Sequence, residues 1–181
     1  SRQGEVARLL PVMLKAAGIL MQRRPSVQFI LPLADALDRD FVEKMIRQES
    51  VPVRVIPNEI YDVVGVCDIA VVASGTATLE TALLGTAMVI IYKVSPLSYR
   101  IGAKIIRVTH IGLANLIAGK TIVPELIQHD ANPDRIAEEV MDILGNETRM
   151  HWIKEELNRI REKLGGAGAS ERAARLACDL L

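Results

Sequence analysis

The sequence predicts an α/β domain built on a parallel sheet with helices on both faces. Three observations predict it. Short apolar runs alternate with helix-period segments along most of the chain. The runs are continuous rather than alternating in polarity, as expected of strands covered on both sides. Half of the 181 residues are apolar, enough for a sizeable core in one domain.

Apolar positions Val6, Leu9, Leu10, Met13, Leu14, Ala17, Leu20 and Met21 recur at helical spacing, and Pro25 ends the segment 5–23. Residues 27–31 read as a buried strand, 39–49 as a helix with Phe41, Met45 and Ile46 inward, and 53–56 as the next strand. A helical turn is expected at 59–65, a strand at 69–73 and a helix at 76–84 closed by Gly85. Residues 88–92 form a strand, and 96–106 a helix with Pro96 at its first position. A weak strand or extended loop follows at 109–113, then one helical turn at 114–118. Asn132-Pro133 opens a helix to Leu144, a cap followed by proline. Asn146 opens another, with Trp152, Ile153, Leu157, Ile160 and Leu164 as one apolar stripe. Gly165-Gly166-Ala167-Gly168 breaks it, and Ser170 caps a last helix to Leu181. Residues 1–145 are thus expected to form the domain. Residues 146–181 would be helices packing on it or toward a missing N-terminal domain. The opening Ser1 stands at a turn with no strand before it, so the chain is expected to be a piece of a longer protein.

One Trp, three Tyr and two Phe leave the core aliphatic. With 22 basic and 22 acidic residues the net charge is zero, which argues against a general grip on nucleic acid. Cys67 and Cys178 lack metal or redox spacing and are expected to be small buried apolar residues of a reducing compartment. His110, His129 and His151 lack metal-ligand spacing, and His151 is expected at the surface. No run is long enough to span a bilayer.

The segment IAVVASGTATLETALLG, residues 69–85, carries the chemistry. A strand that turns through Ser74-Gly75-Thr76 into a helix leaves backbone N–H groups open at the strand's C-terminal end, a nest suited to phosphate. Glu80, one turn on, is placed to accept two ribose hydroxyls. The competing reading is a tight turn that merely uses glycine, with a hydroxyl as helix cap. Ser1 and Arg2, before the first helix, offer a cap and a bidentate phosphate contact, or a plain cap with a solvated arginine. In RVTHIGLANLIAGKTIVPE, residues 107–125, Asn115 could bond a ligand and Lys120 neutralise a phosphate. Alternatively, Asn115 is a cap and Lys120 solvated. Arg100, Lys104 and Arg107, with Leu97, Tyr99 and Ile101, suit a membrane surface or a solvated face.

SRQGEV, VASGTATLETALLGTAMVIIYKVSPLSY and HIGLANLIAGKTIVPELIQHDANP, in that order, resemble the lipid-A-disaccharide synthase family. The resemblance covers Ser1 to about residue 145. It implies a Rossmann-like domain, the C-terminal, UDP-binding half of a GT-B fold, plus C-terminal helices. The implied reaction joins UDP-2,3-diacylglucosamine to 2,3-diacylglucosamine 1-phosphate, giving a β-1,6-linked disaccharide and UDP. By this resemblance Ser1, Arg2, Ser74, Gly75, Thr76, Glu80 and Asn115 belong to the donor site, with Glu125 and Lys120 supporting it. The general base, and with it the catalytic residue, would lie in the missing N-terminal half, leaving the isolated piece inactive. No metal or cofactor is implied. The place of work would be the cytoplasmic side of the inner membrane of a Gram-negative bacterium, and a homodimer stays open. The alternatives are another UDP-sugar transferase or epimerase, or a non-enzymatic nucleotide-binding module.

Overall fold

The computed structural model describes residues 3–94, 110–165 and 168–179. Ser1, Arg2 and the expected helix 96–106, with its Leu97, Tyr99, Ile101, Arg100, Lys104 and Arg107, lie outside the described residues.

Strands and helices alternate: α1 (Gln3–Arg23), β1 (Phe29–Leu33), α2 (Arg39–Glu49), β2 (Val53–Pro57), α3 (Ile60–Gly65), β3 (Ile69–Ala73), α4 (Thr76–Leu83) and β4 (Ala87–Tyr92). After the undescribed stretch come α5 (Leu113–Ala118), β5 (Glu125–Ile127), α6 (Pro133–Gly145), α7 (Glu147–Leu164) and α8 (Ala169–Cys178). Every strand pair is parallel, as crossovers through helices require. The pairing, however, makes two sheets rather than one: β1-β2, and β3-β4-β5.

β4 is the centre of the larger sheet. Ala87, Met88, Val89, Ile90 and Ile91 are all fully buried between the helical layers. Each such isoleucine stabilises the fold by about 2 kcal/mol. α1 packs on α2 and α6, and α4, α5 and α7 pack together. α1 serves two clusters of the core. Leu9, Ala16 and Leu20 join β4, while Leu10 and Leu14 join Leu33, Val42 and Ile46 beneath β1 and β2.

Several expectations shift. β1 begins at Phe29 rather than Val27, because Val27 is held in a turn by its N–H bond to Arg24 O (3.1 Å). No strand forms at 110–113; Leu113 already starts α5. The polar stretch hides β5, a three-residue strand opening on Glu125. Ser170 lies inside α8, whose N-cap is Gly168 with φ 99°. Cys178 is exposed on that helix and Cys67 half-buried, its thiol donating to Val63 O at 3.1 Å. Of the expected stripe on α7, Ile153, Leu157 and Ile160 are buried in the core, and Trp152 stays 39% exposed. No helix among the described residues is long and apolar enough to cross a membrane.

Candidate functional site

The C-terminal end of β3 is built as a rim. Ser74 N–H donates to Ile91 O (2.9 Å), carrying the β3–β4 ladder one residue past Ala73. Its hydroxyl donates to Ile111 O at 2.9 Å. Gly75 follows at φ 156°, ψ −163°, a backbone region that residues with a Cβ avoid. Nothing lies within 4 Å of a Cβ built there, so conformation, not space, requires the glycine. α4 then starts without a side-chain cap, and Thr76 is exposed at its first position. The opening N–H groups of α4 therefore point to the rim with the positive end of the helix dipole behind them.

Glu80 lies four residues after Thr76, on the same face of α4 and one turn further along. Buried Thr78, Thr81 and Ala82 occupy the opposite face. Glu80 is half-buried, and among the described residues its carboxylate has no hydrogen bond or ion pair. The helix therefore sets this acid beside the rim rather than in the core.

A second wall comes from residues 110–113. Leu113 N–H donates to the hydroxyl of Thr78 (3.1 Å), which itself donates to Gly75 O at 2.7 Å. Glu125 anchors the same loop from β5. Its carboxylate accepts from Ile111 N (2.8 Å), Gly112 N (3.1 Å) and Asn115 Nδ2 (2.8 Å). Gly112 has to be glycine here: a Cβ would stand 2.3 Å from Ile90 Cδ1 and 3.2 Å from Glu125 Oε1.

Asn115 is fully buried. Besides Glu125, its Nδ2 donates to Val123 O (2.9 Å), and its Oδ1 accepts from Ile122 N (2.8 Å) and Val123 N (3.1 Å). Both donors and both acceptor positions of the amide are engaged. The expected hydrogen bond from Asn115 to a ligand thus has no free group to make it; the side chain ties α5 to the start of β5.

Lys120 also departs from expectation. It sits past the C-terminal end of α5, about 9 Å along the helix from the rim-facing Leu113. There its ammonium pairs with Glu156 at 2.7 Å and lies 5.6 Å from the centre of the Trp152 ring. Lys163 Nζ donates to Ile117 O (2.9 Å), a second tie between α5 and α7. The lysine neutralises a buried glutamate, not the rim. Glu156, 4% exposed, is also paired with Arg159.

The Lys120 hydrogen bond, with help from Arg159, holds the Glu156 carboxyl below the usual glutamate range. A depressed carboxyl stabilises the fold fully above its unfolded pKa and loses that contribution as pH falls through the folded value. Acid unfolding of Glu156→Gln is therefore expected to show a shallower loss of stability below about pH 4.5 than the parent. Parallel acid limbs in urea titrations would remove Glu156 from that role.

Ser74, Gly75, Thr76, Glu80 and the 110–113 loop with Glu125 thus meet at one edge, while Asn115 supports it from inside and Lys120 stands apart. Thr78 and Gly112 were not singled out from the sequence. The Thr-x-Thr spacing after Gly75 is the signal for the first, since a threonine at the third helical position reaches back to the turn. Gly112 gives no local signal, because its neighbours come from β4 and β5. Asp38-Arg39-Asp40 has an acid-x-acid spacing used elsewhere for metals. Here Asp38 accepts from Asp40 N at 3.0 Å and caps α2, and Arg39 pairs with Glu43 at 2.7 Å. Among the described residues no group of three His, Cys, Asp or Glu gathers to hold a metal.

A family model described as Lipid-A-disaccharide synthetase matches residues 1–179. The chain belongs to this family. Curated members similar to it include the lipid-A-disaccharide synthase of Syntrophus aciditrophicus, 57% identical over 182 residues, and that of Geobacter sulfurreducens, 46% identical over 181. The enzyme of Nitrosococcus oceani is 44% identical over 181 residues. Each alignment covers the whole of this chain but 48%, 47% and 46% of the respective relative. The chain spans about half the length of the family members it matches.

Proposed function

We propose that this chain is the donor-binding half of a glycosyltransferase that makes the lipid A disaccharide. The observation that carries the reading is the family match over residues 1–179, to members named for that synthesis. UDP-2,3-diacylglucosamine would be the donor and 2,3-diacylglucosamine 1-phosphate the acceptor. The rim geometry supports this assignment. The pyrophosphate would rest on the N–H groups at Gly75 and the start of α4, with Ser74 and Thr76 hydroxyls beside it. Glu80 would take the ribose, and Ser1 with Arg2 would close the phosphate side. Asn115 and Glu125 would act as positioning residues for the loop.

The chemistry follows from charge. UDP gains negative charge as the anomeric C–O bond breaks, and preset N–H dipoles with Arg2 would stabilise that charge where it develops. No metal is needed for this role. The base that activates the acceptor would come from the N-terminal half, and the complete enzyme would work at the cytoplasmic face of the inner membrane.

The test uses the parent polypeptide carrying this chain. Given donor and acceptor it should release UDP and disaccharide. Release of UDP only from a different UDP-sugar would contradict the substrate assignment. In the same protein, Arg2→Ala should weaken UDP more than uridine. Equal losses for the two ligands, measured by calorimetry, would remove Arg2 from the phosphate site.

A further inference from the structure

One buried hydroxyl ties the two walls of the rim together. Thr78 is the third residue of α4 and is fully buried. Its Oγ1 donates to Gly75 O at 2.7 Å and accepts from Leu113 N at 3.1 Å. A hydroxyl carries one proton, so a carbonyl on one side and an N–H on the other fix its orientation. Thr81, three residues on, makes only the bond back along its own helix, to Ala77 O at 2.8 Å. Such back-bonding gives a helix no stability. Thr78 differs by its second bond, which leaves α4 and reaches the start of α5.

The first bond acts on the turn. Gly75 O accepts from Thr78 N (3.1 Å) as well as from the hydroxyl. The Gly75–Thr76 peptide is planar and trans, so its carbonyl and its N–H point opposite ways. With the carbonyl held into α4, the Thr76 N–H is turned out to the rim. Gly75, at φ 156°, is the residue type most free to let that plane rotate, and no side chain caps α4 to restrain it. The hydroxyl is thus a second lock on the direction of an N–H that faces the rim.

The second bond acts on the wall. Each N–H from Ile111 to Leu113 is already taken, the first two by Glu125 and the third by Thr78. Ile111 O accepts the Ser74 hydroxyl at 2.9 Å. The loop contributes its place, since these N–H groups are spent. Ser74 and Thr78 set that place relative to the turn. Ser74 is half-buried at the rim, within a ligand's reach, whereas Thr78 is sealed from it. Any influence of Thr78 on a ligand must pass through Gly75 and Leu113.

We propose, on the donor-site assignment, that Thr78 is a positioning residue: its hydroxyl sets the Thr76 N–H and the 110–113 wall in place before the pyrophosphate arrives. Donors set in advance need no reorganisation when charge appears beside them. A hydroxyl with a purely structural role would cost stability and affect UDP and uridine alike.

Thr78→Val keeps the shape and removes the hydroxyl, and Thr78→Ser keeps the hydroxyl. Both are made in the parent polypeptide carrying this chain, and UDP and uridine are titrated by calorimetry. Thr78→Val should weaken UDP about tenfold and uridine much less, while Thr78→Ser binds both as the parent does. Hydrogen exchange of the unaltered protein without ligand should show the Leu113 amide already protected. That measurement stands even where Thr78→Val fails to fold. Four results would each overturn the proposal: parental UDP affinity in Thr78→Val, equal losses for UDP and uridine, a Thr78→Ser variant as weak as Thr78→Val, or an unprotected Leu113 amide. A parent that binds no UDP overturns the donor-site assignment and this proposal with it, and is seen before any variant is compared.

Discussion

Asn115→Ala is expected to lower the unfolding free energy by about 3 kcal/mol, the largest single loss anticipated at the site. The substitution removes four hydrogen bonds at once. It leaves the N–H groups of Ile122 and Val123 without their acceptor in a buried position, and takes one of three donors from Glu125. An unsatisfied buried group costs about 1–3 kcal/mol, and relaxation of the loop recovers part of the sum. Asn115→Asp separates packing from hydrogen bonding. Its shape is kept, but it sets a carboxylate against Glu125, 2.8 Å from the lost amide. That variant should be unstable at neutral pH and regain stability as acid protonates one of the pair. Urea unfolding of the two variants across pH checks both statements. An Asn115→Ala protein as stable as its parent would show that the amide network does not hold α5 to β5.

Glu80→Ala should weaken UDP binding by about 2 kcal/mol, roughly thirtyfold, through loss of charge-assisted hydrogen bonds to the ribose. Its stability should hardly change, because the carboxylate has no bonding partner among the described residues and lies opposite the buried face of α4. The combination is diagnostic. A half-buried acid that supports nothing in the fold, yet matters to a ligand, is a binding group rather than a structural one. Calorimetry with UDP and a thermal melt on the same sample decide it. Undiminished affinity would take Glu80 out of the ribose site.

The alternation of elements was legible because apolar runs and helix periods are local signals. The strand 69–73 and the helix 39–49 match residue for residue. The rim was legible for the same reason: Ser74-Gly75-Thr76 is a turn whose geometry depends on its own residues. Less local features were hidden. Asn115 reads as a cap or a ligand group in sequence, and only the return of the chain at Ile122 and Val123 fills its hydrogen bonds. Lys120 reads as a cation that neutralises a phosphate or stays solvated, and only the packing of α7 shows that Glu156 claims it. β5 escaped because three residues beginning with a glutamate carry no period. That glutamate is fixed by bonds to Ile111 and Gly112, more than ten residues away.

We propose that the open N–H groups after Ala73, with Glu80 one turn on, form a nucleotide diphosphate site. Residue-by-residue NMR of the parent polypeptide titrated with UDP tests it most directly. The expected result is saturable shifts at Gly75, Thr76, Ala77 and Glu80, absent or much weaker with uridine at the first three. Shifts confined to the α2 or α7 surfaces, or none at Gly75 and Thr76 at saturating UDP, would contradict it.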